Sequence, residues 1–172
     1  AATAFGSGQH QTTRLCLEFL SRLYHQGFKP AKILDMGCGS GILALAALKL
    51  WPEAAAVAAD IDREAVIVTL QNAAENGLDQ RLSAAAGDGY DNETVSKNAP
   101  YDLIFSNILA RPLIAMAPML AASLSPGGRA VLSGFTDEQT DWVSDAHRKQ
   151  GLRPAAEEAN ENWRAVLMEK NK

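Results

Sequence analysis

The sequence contains no run of basic residues. Its sixteen Lys and Arg are scattered among twenty Asp and Glu, leaving a net charge of −4. The electrostatic footprint of a nucleic-acid binder is therefore missing, and no direct contact with nucleic acid is expected. Cysteine is scarce: Cys16 and Cys38 have no metal-like spacing, and His10, His25 and His147 are scattered, so no zinc site can be assembled. Two such thiols read as the reduced cysteines of an intracellular protein. No apolar stretch approaches the roughly 20 residues of a membrane helix, and no secretory signal pattern is found. A cytoplasmic location without membrane contact is the expectation. Internal repeats, low-complexity tracts and interior linkers are absent. What remains is 172 residues, 47% hydrophobic and 21% charged, enough for one well-filled core and too short for two ordinary domains. The chain opens Ala1-Ala2-Thr3 without an initiator methionine and enters a motif almost at once. That opening reads as a piece of a longer protein.

The most informative stretch is Ile33-Leu34-Asp35-Met36-Gly37-Cys38-Gly39-Ser40-Gly41. Ile33 and Leu34 close an apolar run of strand character, the alternate glycines form a turn, and Ile42 to Leu48 begins a helix of strong formers. Such a βα unit turns the amide groups of a helix N-terminus toward an anionic ligand. The blander reading of the glycines is a tight turn chosen for strand–helix packing. Asp35 decides between ligands: a carboxylate at the strand tip repels a pyrophosphate, and Gly-x-Gly-x-Gly differs from the dinucleotide spacing. An ammonium beside a carboxylate suits this loop better, with the amides taking the carboxylate and Asp35 the ammonium. S-adenosyl-L-methionine carries that amino-acid end.

Ala4-Phe5-Gly6-Ser7-Gly8-Gln9-His10-Gln11-Thr12-Thr13 is glycine-rich and polar, hence a loop. Thr12 or Thr13 caps a following helix whose Leu15, Phe19, Leu20 and Leu23 share one face, ended by Gly27 and Pro30. This segment is either an edge-covering helix behind a leader or a lid over the cofactor. Residues 32–36 form the first strand. A second apolar run, 55–62, carries Asp60 nineteen positions after Gly41, near the separation at which an acid receives ribose hydroxyls. Ile61 would then lie on the adenine face, while Asp62 caps the helix that starts at Arg63 and stops at Asn76-Gly77. Residues 81–86 read as the third strand. Asp88, in Gly87-Asp88-Gly89, either accepts from the adenine amino group or merely forms a turn. Residues 91–100 read as loop and 101–106 as the fourth strand, with Asn107 at its carboxyl end beside Gly37, Asp60 and Asp88. Pro112 suits the first turn of the next helix, and Pro118 should kink or break it. Ser125-Pro126-Gly127-Gly128 reads as a turn, 129–133 as the fifth strand and 138–150 as a helix. Residues 152–158 and 163–169 flank the turn 159–162 as an antiparallel hairpin. The order β-α-β-α-β-β-α-β-α-β-β predicts an α/β fold with a mostly parallel sheet and an antiparallel finish.

Taken together, Ala4 to Thr13, Leu34-Asp35-Met36-Gly37-Cys38-Gly39-Ser40-Gly41-Ile42-Leu43-Ala44, Asp60-Ile61-Asp62, Asn107-Ile108-Leu109-Ala110 with Pro112-Leu113, and Trp163 resemble the ribosomal protein L11 methyltransferase family, among the class I S-adenosylmethionine-dependent methyltransferases. The resemblance covers essentially residues 1–172. It implies a Rossmann-like catalytic domain with a mostly parallel seven-stranded sheet, a C-terminal antiparallel hairpin and helices on both faces. It implies cofactor contacts at Thr13, Gly37, Asp60 and Asn107, which join Asp35, Gly39, Ile61 and Asp88 from the reading above. It also implies ribosomal protein L11 as partner, methylated on lysine side chains or the N-terminal amine, with S-adenosyl-L-homocysteine as product. Ser7 stands where the family usually has Thr and keeps the hydroxyl, whereas Gln11 stands where it usually has Pro. Family members carry an N-terminal substrate-recognition domain ahead of the first motif, so the expectation is that this chain is the catalytic domain without it.

Methyl transfer from a sulfonium needs no nucleophilic residue or metal, which agrees with the missing triad and zinc cluster. Asn107 and the Ile108 carbonyl are the expected acceptors for the attacking amine's hydrogens. Rival readings are a methyltransferase for another protein or a small molecule, a cofactor-binding module without activity, and an NAD oxidoreductase. The last is disfavoured by Asp35 and the glycine spacing. The absence of an Asn-Pro-Pro-aromatic pattern at Asn107 argues against glutamine and adenine amino-group methylation.

Overall fold

Strand segments that are apolar on both sides must be covered on both sides, and the first strands here are of that kind. In the computed structural model, which describes residues 8–172, β1 (Lys32–Met36), β2 (Ala55–Asp60), β3 (Leu82–Ala86), β4 (Tyr101–Asn107), β5 (Leu124–Thr136), β6 (Leu152–Asn160) and β7 (Trp163–Lys170) form one sheet ordered β3-β2-β1-β4-β5-β7-β6. The neighbouring pairs among β1 to β5 are parallel, and β7 runs antiparallel to both β5 and β6. The expected seven-stranded Rossmann-like sheet with an antiparallel finish is what the chain adopts. Alternation along the strands supplies two cores. Ile33, Leu103 and Phe105 pack with α1 (Gln9–His25) and α2 (Ile42–Leu50). Leu34 and Ile104 pack on the opposite face with α5 (Ala110–Ser123) and α6 (Thr140–Arg148). Helix α3 (Arg63–Glu75) begins at Asp62, whose side chain accepts from the Glu64 amide at 2.9 Å, as expected of a cap.

Several local expectations are corrected. Residues 9–13 are helical rather than loop, so Thr12 and Thr13 lie inside α1 instead of capping it. The Thr12 hydroxyl donates back to the Gln9 carbonyl at 3.2 Å and the side chain is buried, so tertiary packing outweighs its preference for a cap. Residues 1–7, including Ser7 and the first part of the expected lid, lie outside the described residues. The 91–100 stretch contains a short helix, α4 (Glu93–Lys97), because the Asn92 side chain accepts from the amides of Thr94 and Val95 and Val95 is buried. The supposed turn 125–128 is absorbed into β5 as an irregularity, where the register jumps from Tyr101↔Leu124 to Leu103↔Arg129. The Ser125 hydroxyl holds it, 2.8 Å from the Tyr101 carbonyl and 2.9 Å from the Asp102 carboxylate. Helix α5 runs through the exposed Pro118 without a break. A 3-10 turn, Asp137–Gln139, precedes α6. The β6–β7 connection is tighter than expected: Asn160 pairs with Trp163, leaving Glu161 and Asn162 as a two-residue loop in which Glu161 has φ +56°.

Helix α6 carries a fully buried His147 whose Nδ1 lies 2.7 Å from the Val143 carbonyl, while its buried Nε2 has no hydrogen-bond partner. Burial pushes the imidazole below its ordinary value, against the smaller opposing pull of the Val143 bond. A depressed histidine binds protons more readily unfolded, so stability is lost as pH falls below roughly 6.5. Thermal melts between about pH 7.5 and 5 should therefore slope less in His147→Leu than in the parent. Parallel slopes would show that His147 does not couple to folding.

Candidate functional site

Strand order reverses between β1 and β4, and loops leaving their carboxyl ends must part in opposite directions. The parting opens a cleft of about 480 Å3, within the range of small-molecule sites. Its floor is the glycine turn. Gly37, at φ +76°, lies so close to Ile108 that a Cβ there would stand 2.3 Å from Ile108 Cγ2. Gly41, at φ +84°, caps α2 and packs against Thr69 in the same way. Only glycine fits such positions without strain or overlap.

All nine residues singled out from the sequence line or border this one cleft: Thr13, Asp35, Gly37, Gly39, Asp60, Ile61, Asp88, Asn107 and Ile108 are among its walls. The side chains bring different things. Asp35 is 1% exposed and its Oδ2 accepts from the Ala44 amide at 3.1 Å, a bond that also satisfies the third residue of α2. Burial pushes its carboxyl up to about 7; the Ala44 amide opposes the rise, and the nearby charge of Asp60 adds to it. Asp60 uses both oxygens within the protein, accepting from the Gly39 amide at 3.0 Å and the Asp62 amide at 2.9 Å. Each carboxylate oxygen keeps a further lone pair for a ligand. Ile61 is 74% exposed, an apolar side chain held out over the cleft. Asn107 ends β4, and its side-chain Oδ1 is buried with no hydrogen-bond partner. A buried amide oxygen in that state is costly unless something else supplies the donor. Asp88 sits in a turn closed by the Asp91 amide on the Asp88 carbonyl, and its side chain is exposed.

One detail departs from expectation. The amides of Gly37 and Cys38 both donate to the Ala59 carbonyl, at 2.8 and 3.0 Å, and that of Gly39 donates to Asp60. These three amides thus tie β1 to β2 instead of facing a ligand, because the loop needs its own donors to hold its shape. The cleft also has walls not named among the expected contacts: Gln9, Leu109 and Pro112, which fall within the stretches that carry the family resemblance, and Met116 one turn further along α5. Gln9 gives no signal of its own because the local pattern places the start of the helix after it. Among the described residues, the lining holds the four carboxylates of Asp35, Asp60, Asp62 and Asp88 and no Lys, Arg or His. No grouping of metal-ligating side chains occurs among the described residues. None of their helices is long and apolar enough to cross a membrane.

Comparison with known proteins agrees with this architecture. The family model described as Ribosomal protein L11 methyltransferase (PrmA) matches residues 1–171. A ribosomal protein L11 methyltransferase from Brucella suis is 41% identical over 166 residues, 96% of this chain and 58% of the relative. The chain thus spans little more than half the length of that curated relative. The crystal structure of a ribosomal protein L11 methylase from Lactobacillus delbrueckii subsp. bulgaricus superposes with a TM-score of 0.85 at 29% identity, covering 96% of this chain and 81% of that one. An RNA methyltransferase from Salinibacter ruber, in complex with S-adenosyl-L-homocysteine, shares the fold alone, with a TM-score of 0.68 at 19% identity over 95% of this chain and 92% of that one. With a family model matched along almost its entire length, the chain belongs to the ribosomal protein L11 methyltransferase family.

Proposed function

We propose that this chain is the catalytic domain of an enzyme that transfers methyl groups from S-adenosyl-L-methionine to amino groups of ribosomal protein L11, on lysine side chains or the N-terminal amine. The observation that carries the reading is the cleft's chemistry: four carboxylates, no cation among the described residues, and a buried unpaired Asn107 oxygen at its edge. Those features fit a positively charged nucleoside with an amino-acid tail. The Salinibacter ruber protein of the same fold, which holds S-adenosyl-L-homocysteine, supports the choice of cofactor.

The bound cofactor supplies a methyl group already activated on a sulfonium sulfur. The chain's own residues bind and align. Asp35 balances the ammonium, the first amides of α2 face the carboxylate, and Asp60 receives the ribose hydroxyls on its remaining lone pairs. Ile61 covers one face of the adenine, Asp88 accepts from the adenine amino group, and Thr13 donates a hydroxyl from α1. Gly37 and Gly39 contribute shape by keeping side chains out of the floor. Asn107 Oδ1 and the Ile108 carbonyl accept the hydrogens of the incoming amine. This favours the neutral amine, although a free lysine has a pKa of roughly 10.4. Holding two reactants in line in this way contributes about 7–11 kcal/mol in favourable systems. Family resemblance implies that capture of the ribosomal protein itself falls to an N-terminal domain, so efficient turnover is expected when that domain is present.

Calorimetric titration should show S-adenosyl-L-methionine binding and NAD failing to bind. With labelled cofactor, ribosomal protein L11 and the substrate-capturing domain present, Asn107→Ala should lower turnover by about 100-fold or more and cofactor affinity by less than about 10-fold. Unchanged turnover would remove Asn107 from the reaction.

A further inference from the structure

The start of α1 reaches the cleft through Gln9 and Thr13. Besides the core that Thr12 and Leu15 enter, it is held from the far edge of the sheet by the tip of the β6–β7 hairpin. Gly8, the residue before α1, lies against the Trp163 indole so closely that a Cβ would stand 2.0 Å from both Cε2 and Cζ2. Three residues on, Gln11 Nε2 donates to Glu161 Oε2 at 3.2 Å, while the buried Gln11 Oε1 has no partner. Further along, Arg22 pairs with Glu158 on β6. The hairpin's two-residue loop, with Glu161 at φ +56°, fixes where Glu161 and Trp163 stand relative to β7 and hence to the whole sheet.

We propose that Glu161 and Trp163 are positioning residues for the cofactor site, clamping Gly8 and Gln11 so that Gln9 and Thr13 are presented to the cleft. The proposal rests on the cofactor reading above. Neither residue touches the cleft, and no motif in the glycine turn foreshadows them; they act through the helix they hold. A clamp of this kind fixes side chains before the ligand arrives, so its loss weakens binding more than it weakens the fold. The Gly8–Trp163 contact is the stiffer half, because neither backbone nor indole can yield to a methyl at that distance. The Gln11–Glu161 bond is exposed and contributes less.

The test is calorimetric binding of S-adenosyl-L-methionine to this chain, with ligand-free melting temperature as the control for plain destabilisation. Gly8→Ala should weaken binding by about 10-fold or more, and adding Trp163→Phe, which removes the indole atoms in the way, should restore most of it. Gln11→Glu puts two carboxylates together and should weaken binding about 3- to 10-fold; the swap Gln11→Glu with Glu161→Gln should return it to near the parent value, and Glu161→Ala alone, which removes the acceptor for Gln11 Nε2, should weaken binding about 2- to 3-fold. If the single variants melt lower but bind as the parent does, or if neither second change restores affinity, the clamp is structural only and the proposal is overturned. Failure of the parent itself to bind would instead overturn the cofactor reading, so the two outcomes are distinct.

Discussion

Asp35→Asn should stabilise the ligand-free protein and abolish its binding of S-adenosyl-L-methionine. The two effects come from one buried charge. The Asp35 carboxyl is raised to about 7 chiefly by burial, with the Ala44 amide opposing and Asp60 adding. A carboxyl raised in the folded state stabilises the protein below its unfolded value, and that contribution is lost as pH rises through about 7. At about pH 8 the ionised group then costs on the order of 4 kcal/mol relative to an unfolded chain. Asparagine keeps a carbonyl oxygen for the Ala44 amide and carries no charge. The variant should therefore melt roughly 5–10 °C higher than the parent near pH 8 and only about 2–4 °C higher near pH 5, where the folded Asp35 is already neutral and only the unfolded one is ionised. Cofactor affinity should fall by at least about 100-fold, because the ammonium loses its counter-charge in a desolvated place. Melting curves at the two pH values and a titration at the higher one check both halves. An equal shift at both pH values, or intact binding, would show that Asp35 neither bears the cost of burial nor meets the ammonium.

The second large effect belongs to Gly37→Ala. Alanine at φ +76° is strained by about 1–2 kcal/mol, and its methyl would stand 2.3 Å from Ile108 Cγ2. Ile108 cannot retreat freely, since its amide donates to the Ser133 carbonyl at 3.0 Å on β5. Overlap and strain together should cost about 2–4 kcal/mol, or some 5–10 °C in melting temperature, and should remove cofactor binding. Trimming the opposing side chain separates the two causes. Ile108→Ala in the same chain should recover the part due to overlap and leave the backbone strain. No recovery would mean that the strain alone carries the effect.

Those two positions show how much of the site is legible in the amino-acid sequence. Asp35 and the glycines announce a βα turn because the chain must switch there from a buried strand to a helix, and few residues permit the change. Asp60, Asp62 and Asn107 are readable from their place at strand ends, where an open parallel sheet gathers its ligands. The partners of the loop amides are not readable. Whether Gly37 and Cys38 donate to a ligand or to the Ala59 carbonyl depends on how β2 lies beside β1, which no local pattern states. The start of α1 is hidden for a related reason: glycine and threonine favour a loop locally, and only Trp163 and the core beneath Thr12 make helix the better choice. Helix α4 is hidden because its five residues are too few to show a period, and a single cap and one buried valine suffice to form it.

The carboxylate lining has a consequence for what else enters the cleft. ATP and its relatives present the same adenosine as the cofactor but end in phosphate. Phosphate sites in proteins rely on Lys, Arg or open amides, and here the described walls have no cation while the amides of Gly37, Cys38 and Gly39 are already engaged. Nucleotides that end in phosphate are thus expected to bind this cleft more weakly than an adenosine that ends in an ammonium and a carboxylate.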